Sequence, residues 1–211
     1  MSRSYRQFCG VAKALDLVGE RWTLLLVRDL ILGPRRYTDL LHGLPGLTTN
    51  LLAKRLRELT RHGLIRRTTL PPPASVLVYE LTEEGRRLEP VVLALGAFGA
   101  EYMTEPSPED LMNARWSAVS LRRRFRGSPQ QGIVQLEIGE QLFQARFGDE
   151  IEVRDGTPWA PDVRLMGDLP TWGALLTGRE RLRDLVKRGR LRREGPAQIS
   201  SAFARSVRIR P

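Results

Sequence analysis

The residues best suited to chemistry in this sequence form a row of polar and cationic side chains from residue 50 to residue 57. Asn50, Lys54 and Arg57 are spaced four and three positions apart, so on an α-helix they point the same way. An asparagine amide can pair with adenine through two hydrogen bonds, and Lys or Arg can reach guanine or a phosphate. This spacing predicts a helix face that reads DNA bases, with an ordinary solvated helix face as the alternative interpretation.

Candidate phosphate contacts flank this row. Thr48 and Thr49 fall at the predicted start of the helix, where free backbone N–H groups and small hydroxyls suit a phosphate. Two arginine pairs are candidate phosphate clamps on either side of the helix: Arg35 with Arg36, and Arg66 with Arg67. The segment "PPPAS" between the predicted strands carries no charge, so a groove-reading arginine is not expected there.

A leucine stripe predicts the helix that carries these side chains. Leu52, Leu56 and Leu59 recur at intervals of four and three, which is typical of a buried helix face. Thr48 is the expected N-cap of this helix, and Gly63 is its expected stop. The cationic row therefore lies opposite an apolar face.

The segments around this helix predict a winged helix-turn-helix. "CGVAKALDLVG" places Val11, Ala14, Leu15 and Val18 on one face, and "ERWTLLLVRDLILG" ends before a proline, so both are expected to be short core helices. "YTDLLHGLPG" gives a short third helix and a tight turn. "LIRRTTL" and "VLVYELT" are expected to form a β-hairpin after the leucine-striped helix.

A last helix of the first half carries a long apolar stripe. Pro90 is expected either to bend this helix or to mark its true start. The stripe is wider than a lone domain would leave exposed, so it predicts a dimer contact, with packing against the second half of the chain as the alternative. Its members are Leu88, Val91, Val92, Leu95, Phe98 and Tyr102.

Composition restricts the classes of partner and reaction. The net charge of +10 favours polyanions, which include nucleic acid, acidic membranes and acidic proteins. A single cysteine and two histidines exclude an internal disulfide framework and a four-ligand zinc site. No nucleotide-binding or hydrolase motif occurs, so neither enzymatic activity nor a cofactor is expected. The apolar runs are too short for a membrane span, and a cytoplasmic protein without a membrane partner is expected.

The second half has a different pattern. After a predicted helix that contains Trp116, the runs "GIVQLEIG", "QLFQARFG", "EIEVRDG" and "DVRLMG" indicate three or four antiparallel strands. Helices are expected to follow. The predicted fold class is α+β, with a winged helix-turn-helix in residues 1–105 and a small α+β domain with an antiparallel sheet in residues 106–211.

The first half resembles the HxlR family of bacterial winged-helix transcription regulators. The resemblance rests on the run from "CGVAKALDLVGERWTLLLVRDLILG" to "TTNLLAKRLRELTRHGLIRR", and on "YELTEEGRRLEPVVLALGAFG", and it covers about residues 5–102. It implies a homodimer that binds palindromic operator DNA. It also implies that the first and last helices of this domain form the dimer contact.

Cys9 occupies the place where several members of this family carry a redox-sensing thiol. A helix N-terminus lowers the pKa of a thiol, which favours such chemistry. Without a second cysteine in the chain, sensing would need a disulfide between two copies or an adduct with a small thiol. The alternative is that Cys9 is a small buried hydrophobic residue.

The second half resembles a sterol carrier protein-like domain, through "DVRLMGDLPTWGALLTGRERLRDLVKRGRLRREG". This resemblance implies an apolar tunnel for a lipid-like or other small ligand. The alternatives are that the aromatic residues form an ordinary core and that the domain only supports the dimer. The candidate lining residues are Trp116, Phe143, Phe147, Trp172, Leu175 and Leu176.

The functional hypothesis is a homodimeric, sequence-specific DNA-binding transcription regulator that responds to a small apolar ligand. The alternative hypothesis is a lipid-binding or lipid-transfer protein whose winged domain binds another protein. Double-stranded DNA is the partner that distinguishes the first hypothesis from the second.

Overall fold

The structure is a computed structural model that describes residues 4–103, 107 and 109–211. The chain divides into two compact units between Ala94 and Leu95. The domain boundary expected near residue 105 lies outside the described residues. In the described part of the chain, no helix is both long enough and apolar enough to cross a membrane.

The first unit has the helix and strand order of a winged helix-turn-helix, as predicted. Strands β1 and β2 pair in antiparallel fashion, and Ile65 lies opposite Leu81. Arg35 and Tyr79 exchange two backbone hydrogen bonds of 2.9 and 2.8 Å, which attach the segment before α3 to the hairpin. The elements are α1 (Gly10–Val18), α2 (Thr23–Leu30), α3 (Tyr37–Gly43), α4 (Thr49–Arg61), β1 (Ile65–Thr69), β2 (Leu77–Leu81), α5 (Glu83–Arg86) and α6 (Glu89–Ala100), the last of which crosses the division between the units.

The leucine stripe of α4 forms part of the first unit's core. Leu52, Leu56 and Leu59 are each at most 2% exposed, as are Leu26 of α2 and Val78 of β2, and α4 packs against β1. Burial of one such side chain contributes about 1.5–3 kcal/mol. This apolar anchoring fixes which face of α4 points outward.

Helix α1 differs from the expected core helix. Ala12 and Val18 are buried, but Val11, Ala14 and Leu15 of the predicted inner face are exposed. An apolar period marks a face that is suited to burial, but it does not say whether the covering surface belongs to the same chain. The description of α1 as a core helix is therefore wrong for the single chain.

Pro90 marks a helix start. Thr82 caps the short α5, since its hydroxyl accepts a hydrogen bond from the Gly85 N–H at 3.1 Å. Helix α6 then begins at Glu89, so Pro90 lies in its first turn, where the missing N–H has no intrahelical acceptor to lose. Of the two predicted outcomes, the second is confirmed.

The second unit contains a mixed five-stranded sheet with helices. The sheet order is β5-β4-β3-β6-β7, and β3 pairs with β6 in parallel. The other three pairs are antiparallel, and two of them, β3 with β4 and β4 with β5, join expected strands. The elements are α7 (Ala114–Arg124), β3 (Gly132–Ile138), β4 (Gln141–Phe147), β5 (Ile151–Asp155), β6 (Val163–Gly167), α8 (Leu169–Leu176), α9 (Leu182–Lys187), β7 (Arg192–Glu194) and α10 (Ala197–Ser206).

The expectation of an all-antiparallel sheet was wrong at one strand pair. Side chains alternate between the two faces of a strand in either direction of pairing, so the apolar pattern predicts strands without predicting their relative direction. Strand β7 spans only three residues, which is too short for a period to be recognised. Helices α7 and α10 pack against the sheet, and Phe147 contacts Phe203 edge to face at 5.5 Å between ring centroids.

Candidate nucleic-acid interface

The outward face of α4 presents the three residues predicted to read bases. Asn50, Lys54 and Arg57 are all exposed, while the leucines on the opposite side of the helix are buried. The Lys54 ammonium lies 4.0 Å from a carboxylate oxygen of Glu58. An exposed pair of this kind contributes at most about 1 kcal/mol, so Lys54 can exchange it for a phosphate or a base at little cost.

Contacts at its N-terminus hold α4 in place. The Thr48 hydroxyl accepts a hydrogen bond from the Leu51 N–H at 3.3 Å, which caps the helix as predicted. The Tyr37 hydroxyl donates to the Thr49 carbonyl at 2.7 Å and so connects α3 to the first residue of α4. Thr48 and Thr49 are exposed beside the first-turn N–H groups, which is the arrangement that suits an anion.

Arg55 is a further important residue of α4, and the sequence analysis did not single it out. Its side chain is almost fully buried, and its guanidinium donates to the Glu20 carboxylate at 2.6 Å and to the Glu58 carboxylate at 2.7 Å. Its Nε donates to the Arg21 carbonyl at 3.0 Å. Arg55 therefore fastens α4 to the segment that precedes α2. Its position within the leucine stripe was the signal that could have identified it.

The two arginine pairs are placed differently from one another. The Arg35 side chain approaches Asp39 at 3.9 Å, and the neighbouring Arg36 is exposed. Arg66 and Arg67 are both exposed on β1, but consecutive residues of a strand point to opposite faces. Arg66 also pairs with Glu80 across the hairpin at 2.7 Å. The two side chains therefore project from opposite faces of the hairpin, and their role as a phosphate clamp stays a prediction.

The apolar stripe of α6 is largely open to solvent. Val91, Leu95, Phe98 and Tyr102 are 50–70% exposed, and Leu88 and Val92 are half-buried. Phe98 and Tyr102 contact each other at 5.1 Å between ring centroids. A continuous apolar surface of this kind marks an interaction site.

Cys9 lies at the N-cap of α1, and its thiol is exposed. The structure thus does not agree with the alternative of a buried hydrophobic residue. The Cys9 side chain makes no capping hydrogen bond, but the nearby backbone N–H groups of Ala12 and Val11 lower the pKa of its thiol. The thiolate is favoured by the same first-turn donors that would favour any anion at a helix start.

The candidate pocket residues of the second unit are mostly core residues. Phe143, Phe147, Trp172, Leu175 and Leu176 are buried, and Trp116 is half-buried. The Trp172 indole donates to the Glu137 carbonyl at 2.9 Å. Phe147 also borders an open depression of about 450 Å³ whose other lining residues are mainly charged or polar, such as Arg122 and Glu152. The lining of an apolar tunnel by these six residues stays a prediction.

Comparison with known proteins gives a family match and several relatives. Residues 17–107 match the HxlR-like helix-turn-helix family. The uncharacterized HTH-type transcriptional regulator sll1512 of Synechocystis is 37% identical over 101 residues, which are 48% of this chain and 75% of that protein. The uncharacterized HTH-type transcriptional regulator Rv3095 of Mycobacterium tuberculosis is 34% identical over 148 residues, which are 70% of this chain and 83% of that protein.

Solved structures of similar regulators also match. The quinone-bound YodB from B. subtilis is 30% identical, with 43% of this chain and 96% of that chain covered and a TM-score of 0.38. The redox regulator HypR in its reduced form is 32% identical, with 44% and 92% covered and a TM-score of 0.41.

The similarity to Rv3095 extends past the winged helix. The alignment with Rv3095 spans 148 residues, whereas the family match ends at residue 107. Some of the aligned residues must therefore lie beyond residue 107, in the second unit. The geometry of α3, α4 and the hairpin agrees with the sequence match. On this evidence the chain belongs to the HxlR-like helix-turn-helix family of transcriptional regulators.

Proposed function

We propose that this regulator is a homodimer that inserts α4 of each copy into the major groove of a palindromic operator. The observation that carries the proposal is the exposed row of Asn50, Lys54 and Arg57 on a helix whose other face is fixed by buried leucines. Thr48 and Thr49 would bind phosphate at the helix start, and the pairs Arg35–Arg36 and Arg66–Arg67 would bind phosphates on either side.

The exposed apolar surfaces support a homodimer. The stripe of α6 from Val91 to Tyr102 and the outer face of α1 at Val11 and Leu15 are both solvent-exposed in the single chain. Burial of these surfaces against a second copy would remove a large apolar area from water. A two-fold dimer of this motif fits half-sites centred about 34–36 Å apart, which is one turn of DNA.

The experiment that tests this function begins with a selection of bound duplexes from a random pool. Affinity for a selected duplex is then measured over a range of salt concentrations for the wild type, Lys54→Ala, Arg57→Ala and the control Lys187→Ala on α9. Loss of a base contact should weaken binding about 5- to 150-fold, which is equivalent to about 1–3 kcal/mol. Loss of a phosphate contact should instead reduce the salt slope by about 0.9.

Two results would contradict the DNA-reading role of α4. The first is a wild-type protein that binds no duplex even at low ionic strength. The second is a pair of α4 variants that match Lys187→Ala in both affinity and salt slope. A normal circular dichroism spectrum for each variant excludes unfolding as the cause of a loss.

We further propose that Cys9 allows the regulator to respond to oxidants or electrophiles. The support is its exposed thiol with a lowered pKa. Oxidation would join the Cys9 residues of two copies, or would join Cys9 to a small thiol, with the oxidant accepting two electrons. Diamide treatment followed by non-reducing electrophoresis and a gel shift tests this role. A response that persists in Cys9→Ser would exclude Cys9 as the responding residue.

For the second unit, we propose support of the dimer as the first of two roles. Five of the six candidate pocket residues are buried in the core. A sterol carrier protein-like unit that binds a small apolar ligand is the second proposal, and mass spectrometry of ligand that copurifies with the protein would test it. Neither proposed role includes an enzymatic step. Regulation of transcription would take place in the cytoplasm.

A further inference from the structure

Four arginines of the second unit lie close together without a neighbouring carboxylate in the described part of the chain. Arg123, Arg124 and Arg126 lie at the C-terminal end of α7, and Arg208 follows α10; we refer to these four residues as the arginine cluster. The two segments that supply them read "LRRRFR" (121–126) and "RSVRIR" (205–210). Neither segment contains an acidic residue.

Backbone and side-chain hydrogen bonds bring these distant segments together. The Arg126 N–H donates to the Ser206 carbonyl at 2.9 Å. The Arg124 guanidinium donates from Nε to the Val207 carbonyl at 3.1 Å and from Nη2 to the Arg208 carbonyl at 3.2 Å. The proximity of the cationic side chains is therefore built into the fold of the unit.

The cluster has no acidic partner within the described part of the chain. The side chains of Arg123, Arg124 and Arg126 donate hydrogen bonds to backbone carbonyls, such as that from Arg123 to Gly96 at 2.8 Å, and a carbonyl carries no net charge. Other arginines of the same unit are neutralised differently. Arg188 pairs with Glu180 at 3.0 Å, and Arg192 pairs with Glu194 at 2.5 Å.

The like charges in the cluster affect one another. Burial lowers the pKa of the Arg123 guanidinium, and the neighbouring charge of Arg126 lowers it further. Burial likewise lowers the pKa of Arg124, and the charges of Arg123 and Arg208 add to this effect. An anion placed here would relieve a repulsion that the chain itself leaves uncompensated.

A structural role accounts for only part of the cluster. Cations in the last turn of α7 interact favourably with the helix dipole, and Arg124 also satisfies carbonyls at the end of α10. Arg126 likewise donates to the Arg123 and Phe125 carbonyls at the end of α7, at 3.0 and 2.6 Å, but the side chains of Arg126 and Arg208 are both exposed. Arg126 uses only Nη1 in its side-chain hydrogen bonds, which leaves Nε and Nη2 free to bind an anion side-on.

We propose that the arginine cluster is a second DNA contact, which binds backbone phosphates without reading sequence. A DNA duplex carries one negative charge per about 1.7 Å of its axis, and a guanidinium group can bind a phosphate through two parallel hydrogen bonds. Residues 106–211 carry 19 Arg and Lys against 13 Asp and Glu, so most of the net charge of +10 belongs to the half without the winged helix. The choice of DNA as partner rests on the proposed function.

The test compares two double variants with the same net charge. Arg126→Gln/Arg208→Gln removes the exposed cluster members, and Arg188→Gln/Arg192→Gln removes two arginines that are paired with carboxylates. Each full-length protein is titrated with a duplex of about 40 base pairs at several salt concentrations. The cluster variant should lose about 1.8 from the magnitude of the salt slope, since two phosphate contacts are removed. The control variant should keep the wild-type slope.

A second arm separates this inference from the function of α4. Both double variants are also made in a Lys54→Ala/Arg57→Ala background and titrated with a duplex that has no operator. If the cluster binds phosphates, the slope falls for the cluster variant in this background as well, even if α4 reads no DNA. Equal slopes for the two double variants in both backgrounds would overturn the proposal and would leave an acidic protein as the partner of this surface. Thermal unfolding of each variant checks the fold.

Discussion

Arg55 and Arg57 lie two positions apart on α4 and have different roles. Arg57 is exposed on the cationic row, as its spacing from Asn50 and Lys54 predicts. Arg55 is buried because it replaces an apolar residue in the leucine stripe and binds Glu20 and Glu58. The helical period predicts the first role. It did not predict the second, since the acceptor Glu20 is 35 residues away in sequence.

This contrast gives a matched pair of variants. We expect Arg55→Ala to lower the free energy of unfolding by about 1.5–3 kcal/mol, because buried hydrogen bonds to charged groups are lost. Arg57→Ala should change it by no more than about 0.5 kcal/mol, because its side chain is exposed. Chemical denaturation measures both values. Equal losses in the two variants would show that Arg55 does not fasten α4 in place.

The Cys9 thiol gives a pH-dependent prediction. Because the backbone N–H groups in the first turn of α1 lower its pKa, the thiolate should persist to lower pH in the folded chain than in the unfolded chain. The rate of alkylation by iodoacetamide should therefore reach half its maximum at a lower pH in buffer than in concentrated urea. The chain has one cysteine, so the measurement reports on Cys9 alone. A midpoint that is the same or higher in buffer would contradict the lowered pKa of the Cys9 thiol.

The helices and strands show where pattern reasoning succeeds and where it stops. Thr48 caps α4 as predicted, and the hairpin of β1 and β2 follows the predicted apolar runs. The parallel pairing of β3 with β6 and the short strand β7 depend on contacts between distant segments. Alternation along one strand contains no information about such contacts, so these features could not be predicted.

The junction between the hairpin and α5 depends on Gly85. A Cβ atom at this residue would lie 1.8 Å from the Leu64 carbonyl oxygen, so the backbone of the two segments is in direct contact. The backbone N–H of Thr82 donates to the same carbonyl at 3.1 Å, and the Thr82 hydroxyl donates to the Gly63 carbonyl at 2.5 Å. The end of α4, the hairpin and α5 are thus joined at one place.

Gly85→Ala should be destabilising because the added methyl group forces this junction apart. We expect a loss of about 1–3 kcal/mol in the free energy of unfolding, as is typical of overpacked sites. The control is Gly10→Ala at the start of α1, where a Cβ meets nothing within 4 Å and the change should stay within about 0.5 kcal/mol. Unchanged thermal unfolding of Gly85→Ala would contradict the close packing of α5 on Leu64.

At the scale of the whole molecule, the single chain leaves an apolar surface open on α6. The stripe of α6 was predicted from its period, but whether a second copy covers it could not be predicted, because the same period would serve a contact within the chain. Phe98 is 63% exposed, and its ring contacts that of Tyr102. In the single chain, most of this apolar ring is in contact with water, whereas phenylalanine side chains are usually buried.

Phe98→Asp tests the proposed dimer. A charge at the centre of an apolar interface should shift the protein from dimer to monomer in analytical ultracentrifugation, because the carboxylate would be buried without a partner. Weaker operator binding should follow, since the two α4 helices would no longer bind as one unit. Leu142→Asp, at a 40% exposed residue of β4, is the control. Identical sedimentation of both variants would exclude this face of α6 from the interface.

Trp22 makes the turn between α3 and α4 visible to fluorescence. Its backbone has a left-handed φ of 79°. Its indole ring packs against Gly46, where an added Cβ atom would lie 3.7 Å from the ring. The Arg21 guanidinium stacks 5.1 Å from the ring centroid. The other three tryptophans belong to the second unit, so the difference in emission between the wild type and Trp22→Phe isolates the signal of this turn. Docking of the helix-turn-helix on a duplex can therefore be followed optically without attaching a dye.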